Sequence, residues 1–108
     1  MSDTAPTHVG ENELDISALD ETILSRIRLG VMAYLSSSSP ASFPELAKQL
    51  STTNGNLSTH LTKLEKAGYV DIKKGYNGKR PQTLVYLTED GRATWMKYLH
   101  EMEKLLGA

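Results

Sequence analysis

The fold is decided by residues 43–70, which read FPELAKQLSTTNGNLSTHLTKLEKAGYV. Pro44 and the capping-box spacing of Ser42 and Glu45 predict a short helix at the start of this stretch. The serine and threonines that follow Leu50 predict a polar turn, because such side chains compete with helical backbone hydrogen bonds. A short helix followed by a polar turn is the first half of a helix–turn–helix motif.

A second helix is predicted over about residues 54–67. Leucines recur at positions 57, 61 and 64, which is the period of a helix face that meets a core, and Gly68 follows where a left-handed C-cap belongs. The opposite face is short and polar, and we interpret it as the DNA-reading face of a recognition helix. The side chains predicted to read the major groove are Asn54, Asn56, Ser58, Thr59, Thr62 and Lys63.

After Gly68 the hydrophobic period changes to two. Alternating apolar residues around Val70 and again around Val85 predict a β-hairpin over about residues 69–87, with a long, glycine-rich and basic tip. We interpret this hairpin as a wing that lies along the DNA backbone or in the minor groove. The wing residues predicted to contact DNA are Lys73, Lys74, Asn77, Lys79 and Arg80.

Amphipathic helices are predicted on both sides of the motif. The first spans about residues 19–36 with Ser17 as its N-cap, and the last spans about residues 88–106 with Thr88 as its N-cap. The last apolar stripe extends past the hairpin, which favours a two-fold dimer that buries the terminal helices against their copies. The predicted dimer residues are Ile23, Ile27, Tyr34, Trp95, Leu99, Met102 and Leu106.

With a short extended piece at residues 41–43, this order of elements predicts an α+β, mostly α, winged helix–turn–helix. The chain resembles the compact winged-helix transcriptional regulators of the MarR/ArsR-like superfamily. The resemblance rests on FPELA at 43–47, NGNLSTHLTKLEKAGYV at 54–70, GKRPQT at 78–83 and LTEDGR at 87–92. Gly78 departs from the pattern of many MarR-type wings, in which an acidic residue two positions before the wing arginine braces it.

The resemblance implies a homodimeric regulator of transcription that binds a pseudo-palindromic double-stranded operator. It also implies a place for a small-molecule effector between the terminal helices and the DNA-binding core, for which the sequence names no ligand. The alternative is a winged helix that serves as a protein-interaction module without direct DNA readout. Binding to duplex DNA at increasing salt concentration separates the two hypotheses.

Composition is compatible with this interpretation. The chain has 108 residues, 39% of them hydrophobic, and no cysteine, which suits one small domain without disulfides or thiolate ligands. Residues 1–21 hold six carboxylates and no lysine or arginine, so the remaining residues carry a net charge of +5, which suits a polyanionic partner. We predict a flexible acidic tail over residues 1–17 and a winged-helix domain over residues 18–108.

Other classes of function find little support in the sequence. A glycine-rich phosphate loop and a nucleophile signature are both lacking, so no catalytic residue is predicted. The three histidines, His8, His60 and His100, lie on three separate predicted elements, so neither a metal site nor another cofactor is predicted. No apolar run approaches the length of a membrane span and no secretory signal is visible, so we expect a cytoplasmic protein.

Overall fold

The computed structural model describes residues 16–107, so most of the predicted acidic tail lies outside the described residues. Within residues 16–107, four helices and three strands follow one another in the order that the sequence predicted. They are α1 (Arg26–Ser38), β1 (Ala41–Ser42), α2 (Phe43–Gln49), α3 (Asn54–Lys66), β2 (Val70–Asn77), β3 (Arg80–Leu87) and α4 (Glu89–Leu105). The predicted fold class, a mostly α winged helix–turn–helix, is confirmed.

Local capping fixes the two helices of the helix–turn–helix. The Ser42 side chain accepts a hydrogen bond from the Glu45 backbone N–H, and the Glu45 carboxylate accepts one from the Ser42 backbone N–H. This reciprocal capping box starts α2 at the predicted place. The Thr53 side chain caps α3 by accepting a hydrogen bond from the Asn56 backbone N–H, and Gly68 follows the helix at a φ of +83°. Both helices therefore have nearly the predicted bounds.

The first helix begins at Arg26, so its predicted start near residue 19 is wrong. Ser25 rather than Ser17 is the N-cap residue, and residues 16–24 form turns and irregular chain instead of a helix. Asp20 explains the difference, because its carboxylate accepts hydrogen bonds from the Thr22 backbone N–H and from the Tyr69 hydroxyl. The Asp20 carboxylate therefore holds a non-helical segment on the body of the domain.

The wing also differs from the prediction at its tip. β2 and β3 pair in register as far as Asn77 opposite Arg80, so the tip is a two-residue turn of Gly78 and Lys79 instead of a long loop. Gly78 has a φ of +65°, and a positive φ at the first central position is the requirement of a type II′ hairpin turn. β1 adds to the other edge of β3, which gives the antiparallel sheet order β1-β3-β2.

The hydrophobic core lies where α1, α3, α4 and the sheet meet. α3 contributes its three leucines and the strands contribute Val70 and Val85. α4 approaches the sheet closely at Gly91, where an added Cβ would lie 2.1 Å from the carbonyl oxygen of Tyr69. Further along α4, the Trp95 ring stacks on Tyr98 with 5.7 Å between ring centroids. The wing is thus anchored at its base between α3 and α4. Within residues 16–107 no helix is long and apolar enough to cross a membrane.

Candidate nucleic-acid interface

The rotation of α3 about its axis is fixed by its buried leucines. Leu57, Leu61 and Leu64 are at most 1% exposed, so the opposite side of the helix faces outward. The structure leaves every predicted major-groove residue exposed on α3: Asn54, Asn56, Ser58, Thr59, Thr62 and Lys63. Short polar side chains on this side allow the helix backbone to approach another surface closely.

Internal hydrogen bonds decide what these side chains offer to a partner. The hydroxyls of Thr59 and Thr62 donate to the carbonyls of Gly55 and Ser58, one turn earlier in α3. Their donor capacity is therefore used within the helix, and the two threonines offer methyl groups and acceptor lone pairs. The Asn56 amide nitrogen donates to Thr52 Oγ1 at 2.8 Å. Thr52 lies in the turn before α3, and sequence reasoning did not single it out.

The wing presents its predicted residues on both faces of the hairpin. Cross-strand pairing places Lys73, Asn77 and Arg80 on one face of the hairpin. Lys74 and Thr83 lie on the other face. Lys73 Nζ lies 5.4 Å from the centroid of the Tyr86 ring, within the range of a cation–π contact. All five predicted wing residues are exposed: Lys73, Lys74, Asn77, Lys79 and Arg80.

A groove of about 630 Å³ runs between α3 and the hairpin. Its sides carry Ser58 and Thr62 from α3 and Lys74 from the wing, above apolar side chains that belong to the core. Glu65 also lines the groove, although sequence reasoning did not select it. A helical wheel could have found this residue, because it lies three positions after Thr62 and seven after Ser58. The groove joins the exposed face of α3 to the wing as one surface.

Positive charge is concentrated on this part of the molecule. Residues 43–87 carry a net charge of +4, whereas α4 carries −1. Within residues 16–107, no carboxylate forms an ion pair with Arg80 at the wing tip. Its guanidinium is therefore available to a phosphate or a base edge. The cations of residues 43–87 are Lys48, Lys63, Lys66, Lys73, Lys74, Lys79 and Arg80.

His60 lies on the side of α3 that meets α1. Its Nδ1 is 2.8 Å from Nη1 of Arg28, and the ring is half-buried. Burial lowers the pKa of His60, and the positive charges of Arg28 and Lys63 lower it further. His60 therefore connects two helices. Among residues 16–107, no cluster of three or more histidine, aspartate or glutamate residues could hold a metal ion.

The predicted dimer residues do not form one exposed surface. Ile23, Ile27 and Trp95 are buried in the core of their own chain, at 0%, 4% and 6% exposure, so they cannot present a face to a partner. The helical period of the sequence did not indicate this burial, because the turns before α1 fold Ile23 back onto the core. The remaining predicted residues divide into half-buried and exposed members. Tyr34 and Met102 are half-buried, while Leu99 and Leu106 are exposed, as are Leu24 and Met96, which sequence reasoning did not select.

Fold and surface together define a winged helix–turn–helix of the DNA-binding kind. The winged helix DNA-binding domain family matches residues 27–106, and the chain belongs to this family. An uncharacterized protein of Methanocaldococcus jannaschii is 35% identical over 81 residues, which cover 75% of this chain and 88% of that protein. An uncharacterized HTH-type transcriptional regulator of Bacillus cereus is 31% identical over 90 residues, which cover 83% of this chain and 58% of the regulator.

Solved structures show the same architecture. A transcriptional regulator homologue from Pyrococcus horikoshii OT3 superposes with a TM-score of 0.75 at 30% identity, covering 80% of this chain and 85% of that chain. A MarR-family regulator from Silicibacter pomeroyi shares the fold at 22% identity and a TM-score of 0.58, over 79% of this chain and 59% of its own. The transcriptional regulator MOSR of M. tuberculosis, solved in complex with DNA, shares it at 21% identity and a TM-score of 0.65, over 80% of this chain and 61% of its own.

These comparisons confirm the predicted resemblance to winged-helix transcriptional regulators, and the MarR-family structure shares the fold. The family is one of winged-helix transcriptional regulators and not of enzymes.

Proposed function

We propose that this protein is a homodimeric transcriptional regulator that binds a pseudo-palindromic sequence in double-stranded DNA. In this proposal α3 enters the major groove, and the wing lies on the backbone or in the minor groove. The observation that carries the proposal is the exposure of all eleven predicted DNA contacts on α3 and the wing. Membership of a DNA-binding family supports it.

The dimensions of α3 fit the proposed position. α3 has 13 residues and is therefore about 20 Å long. The major groove is about 12 Å wide, which is enough to admit an α-helix. The N-terminal half of α3 can therefore lie between the phosphate ridges that border the groove. The short side chains of this half keep the backbone near the base edges. Lys79 and Arg80 project from the far end of the hairpin and supply positive charge beside the groove that α3 occupies.

A dimer supplies the specificity that one recognition helix lacks, because one helix contacts only a few base pairs. Exposed apolar side chains on the terminal elements support this part of the proposal: Met96, Leu99 and Leu106 of α4 are 60%, 37% and 77% exposed. Leu24, next to α1, is 50% exposed. We propose these residues as the dimer contacts in place of Ile23, Ile27 and Trp95.

The remaining parts of the proposal follow from the resemblance. A regulator of this kind acts in the cytoplasm, where its operator lies. For the effector we propose a groove of about 360 Å³ between residues 17–20 and α4, with Tyr69 and Tyr98 in its walls. Its ligand stays unidentified, and DNA binding is proposed independently of it.

Selection from a pool of random duplexes tests the proposed function. We expect the pool to converge on an inverted repeat with half-sites about one helical turn apart. Titration of that duplex should then saturate at two protomers for each operator, as measured by fluorescence anisotropy at known protein concentration. A pool that does not converge, together with weak binding to every duplex, would contradict the proposal and favour the protein-interaction module.

A further inference from the structure

We propose that Asn56 reads an adenine in the major groove, and that Thr52 is the positioning residue that orients its amide for this task. This inference rests on the proposed function, since it assumes that α3 lies in the major groove. It goes further because it assigns one base and one side-chain partner. Nothing in the helical pattern of α3 indicated a role for Thr52.

The contacts hold Asn56 at both its backbone and its side chain. Its backbone N–H donates to Thr53 Oγ1 at 3.1 Å, which is the N-cap bond of α3. Its side-chain Nδ2 donates to Thr52 Oγ1 at 2.8 Å. Thr52 is itself fixed, because it is half-buried and its backbone N–H donates to the carbonyl of Ala47 in α2 at 3.0 Å. The turn between the two helices thus positions the amide.

The chemistry of a primary amide makes this arrangement suitable for adenine. An asparagine side chain has two N–H donors and one carbonyl acceptor, and Thr52 uses one donor. Asn56 is an exposed residue, and within residues 16–107 its other side-chain N–H and its Oδ1 make no hydrogen bond. Adenine presents an acceptor at N7 and a donor at N6 in the major groove, and asparagine pairs with both at once. The unused amide groups are therefore the complement of an adenine edge.

Neighbouring side chains lack this combination of chemistry and orientation. Thr59 and Thr62 donate their hydroxyl protons inside the helix and so offer outward acceptors without a donor. Asn54 is an amide too, but within residues 16–107 its side chain makes no hydrogen bond that would orient it. A side chain that is already oriented loses less rotamer freedom when it binds, so Asn56 is favoured for base readout.

Adenine analogues in the selected operator test this inference. Replacing each adenine in turn by 7-deazaadenine removes only the N7 acceptor. We expect one position in each half-site at which this replacement weakens binding by the wild-type protein about fivefold or more. The Asn56→Ala variant should bind both duplexes equally. Thr52→Ala should lose most of the discrimination, while Thr52→Ser, which keeps Oγ, should retain it.

A double variant separates positioning from a general structural effect. If Thr52 acts through Asn56, adding Thr52→Ala to Asn56→Ala should cause no further loss of discrimination. Thermal melting of each variant shows whether the fold is kept. Equal discrimination by Thr52→Ala and Thr52→Ser would overturn the role of Thr52. A wild-type preference that survives in Asn56→Ala would overturn the inference while leaving the proposed function intact. The proposed function fails instead if no operator is selected.

Discussion

Nη1 of Arg28 on α1 lies 2.8 Å from Nδ1 of His60 on α3. Arginine can only donate hydrogen bonds, so Nδ1 of His60 is the acceptor and the ring is neutral with its proton on Nε2. The same guanidinium donates through Nε to the carbonyl of Thr22. One arginine therefore connects the proposed recognition helix to α1 and to the turns that precede it.

This contact predicts a pH-dependent stability. Because burial and the nearby charges of Arg28 and Lys63 lower the pKa of His60 in the folded state, the unfolded chain binds the proton more readily. The stabilising contribution is complete above the ordinary histidine pKa of about 6.5 and declines as pH falls through that value towards the lower folded pKa. We expect the urea midpoint to fall between about pH 7.5 and pH 5.5 by more in the wild type than in His60→Gln, as followed by circular dichroism.

His100 supplies the matched control for this titration. It is exposed on α4 and takes no part in the Arg28–His60 contact, so His100→Gln should retain the wild-type difference between the two pH values. Identical pH dependence in the wild type and His60→Gln would show that the Arg28–His60 contact does not couple protonation to folding.

The close approach of α4 to the sheet predicts a strong effect of a single methyl group at Gly91. A Cβ there would lie 2.1 Å from the Tyr69 carbonyl oxygen and 2.9 Å from Leu87 Cδ1, so the helix must move away from the wing base. We expect Gly91→Ala to lower the free energy of unfolding by about 1–3 kcal/mol, the usual cost of overpacking. Chemical denaturation measures this difference directly.

Gly55 provides the comparison for the same substitution. It lies in the first turn of α3, and an added Cβ would have no atom within 4 Å. Gly55→Ala should therefore be neutral or stabilise the domain by up to about 1 kcal/mol, because alanine restricts the unfolded chain. A Gly91→Ala variant as stable as Gly55→Ala would refute the close packing of α4 on Tyr69.

Charged substitutions at the exposed end of α4 are expected to change the oligomeric state. If Leu99 and Leu106 pack against a second copy, the double change Leu99→Glu/Leu106→Glu buries two carboxylates and should convert a dimer into a monomer. Light scattering after size-exclusion chromatography reports the mass. Tyr76 on the wing is 76% exposed, similar to Leu106 at 77%, and Tyr76→Ser should leave the mass unchanged. A monomeric wild-type protein would contradict the proposed dimer.

Sequence-based prediction succeeded where the signal was local. The capping box at Ser42, the leucine period of α3 and the left-handed Gly68 are each determined by residues a few positions apart, and those elements have nearly the predicted bounds. The start of α1 was predicted wrongly, because Asp20 is held by Tyr69, which lies 49 positions later in the chain. Helical periodicity in one segment cannot show such a contact.

The wing and the candidate site show the same limit of prediction from local sequence patterns. The outer halves of β2 and β3 pair through their backbones and carry polar, mostly exposed side chains. No alternation of apolar residues indicated these segments, so the tip was predicted to be too long. The polar face of α3 could be predicted because the leucines determine which side is outward. The bond between Thr52 and Asn56 could not, since it depends on the geometry of the turn.

The salt dependence of DNA binding tests the central claim most directly. Plots of log Kd against log salt concentration should be steep for the wild type, and Lys79→Ala/Arg80→Ala should reduce the slope by about two for each protomer if both residues contact phosphates. Lys97→Ala/Lys104→Ala removes the same charge from α4 and should leave the slope unchanged. Equal slopes for the wild type and the wing variant, or equal reductions in both double variants, would contradict a wing that contacts DNA.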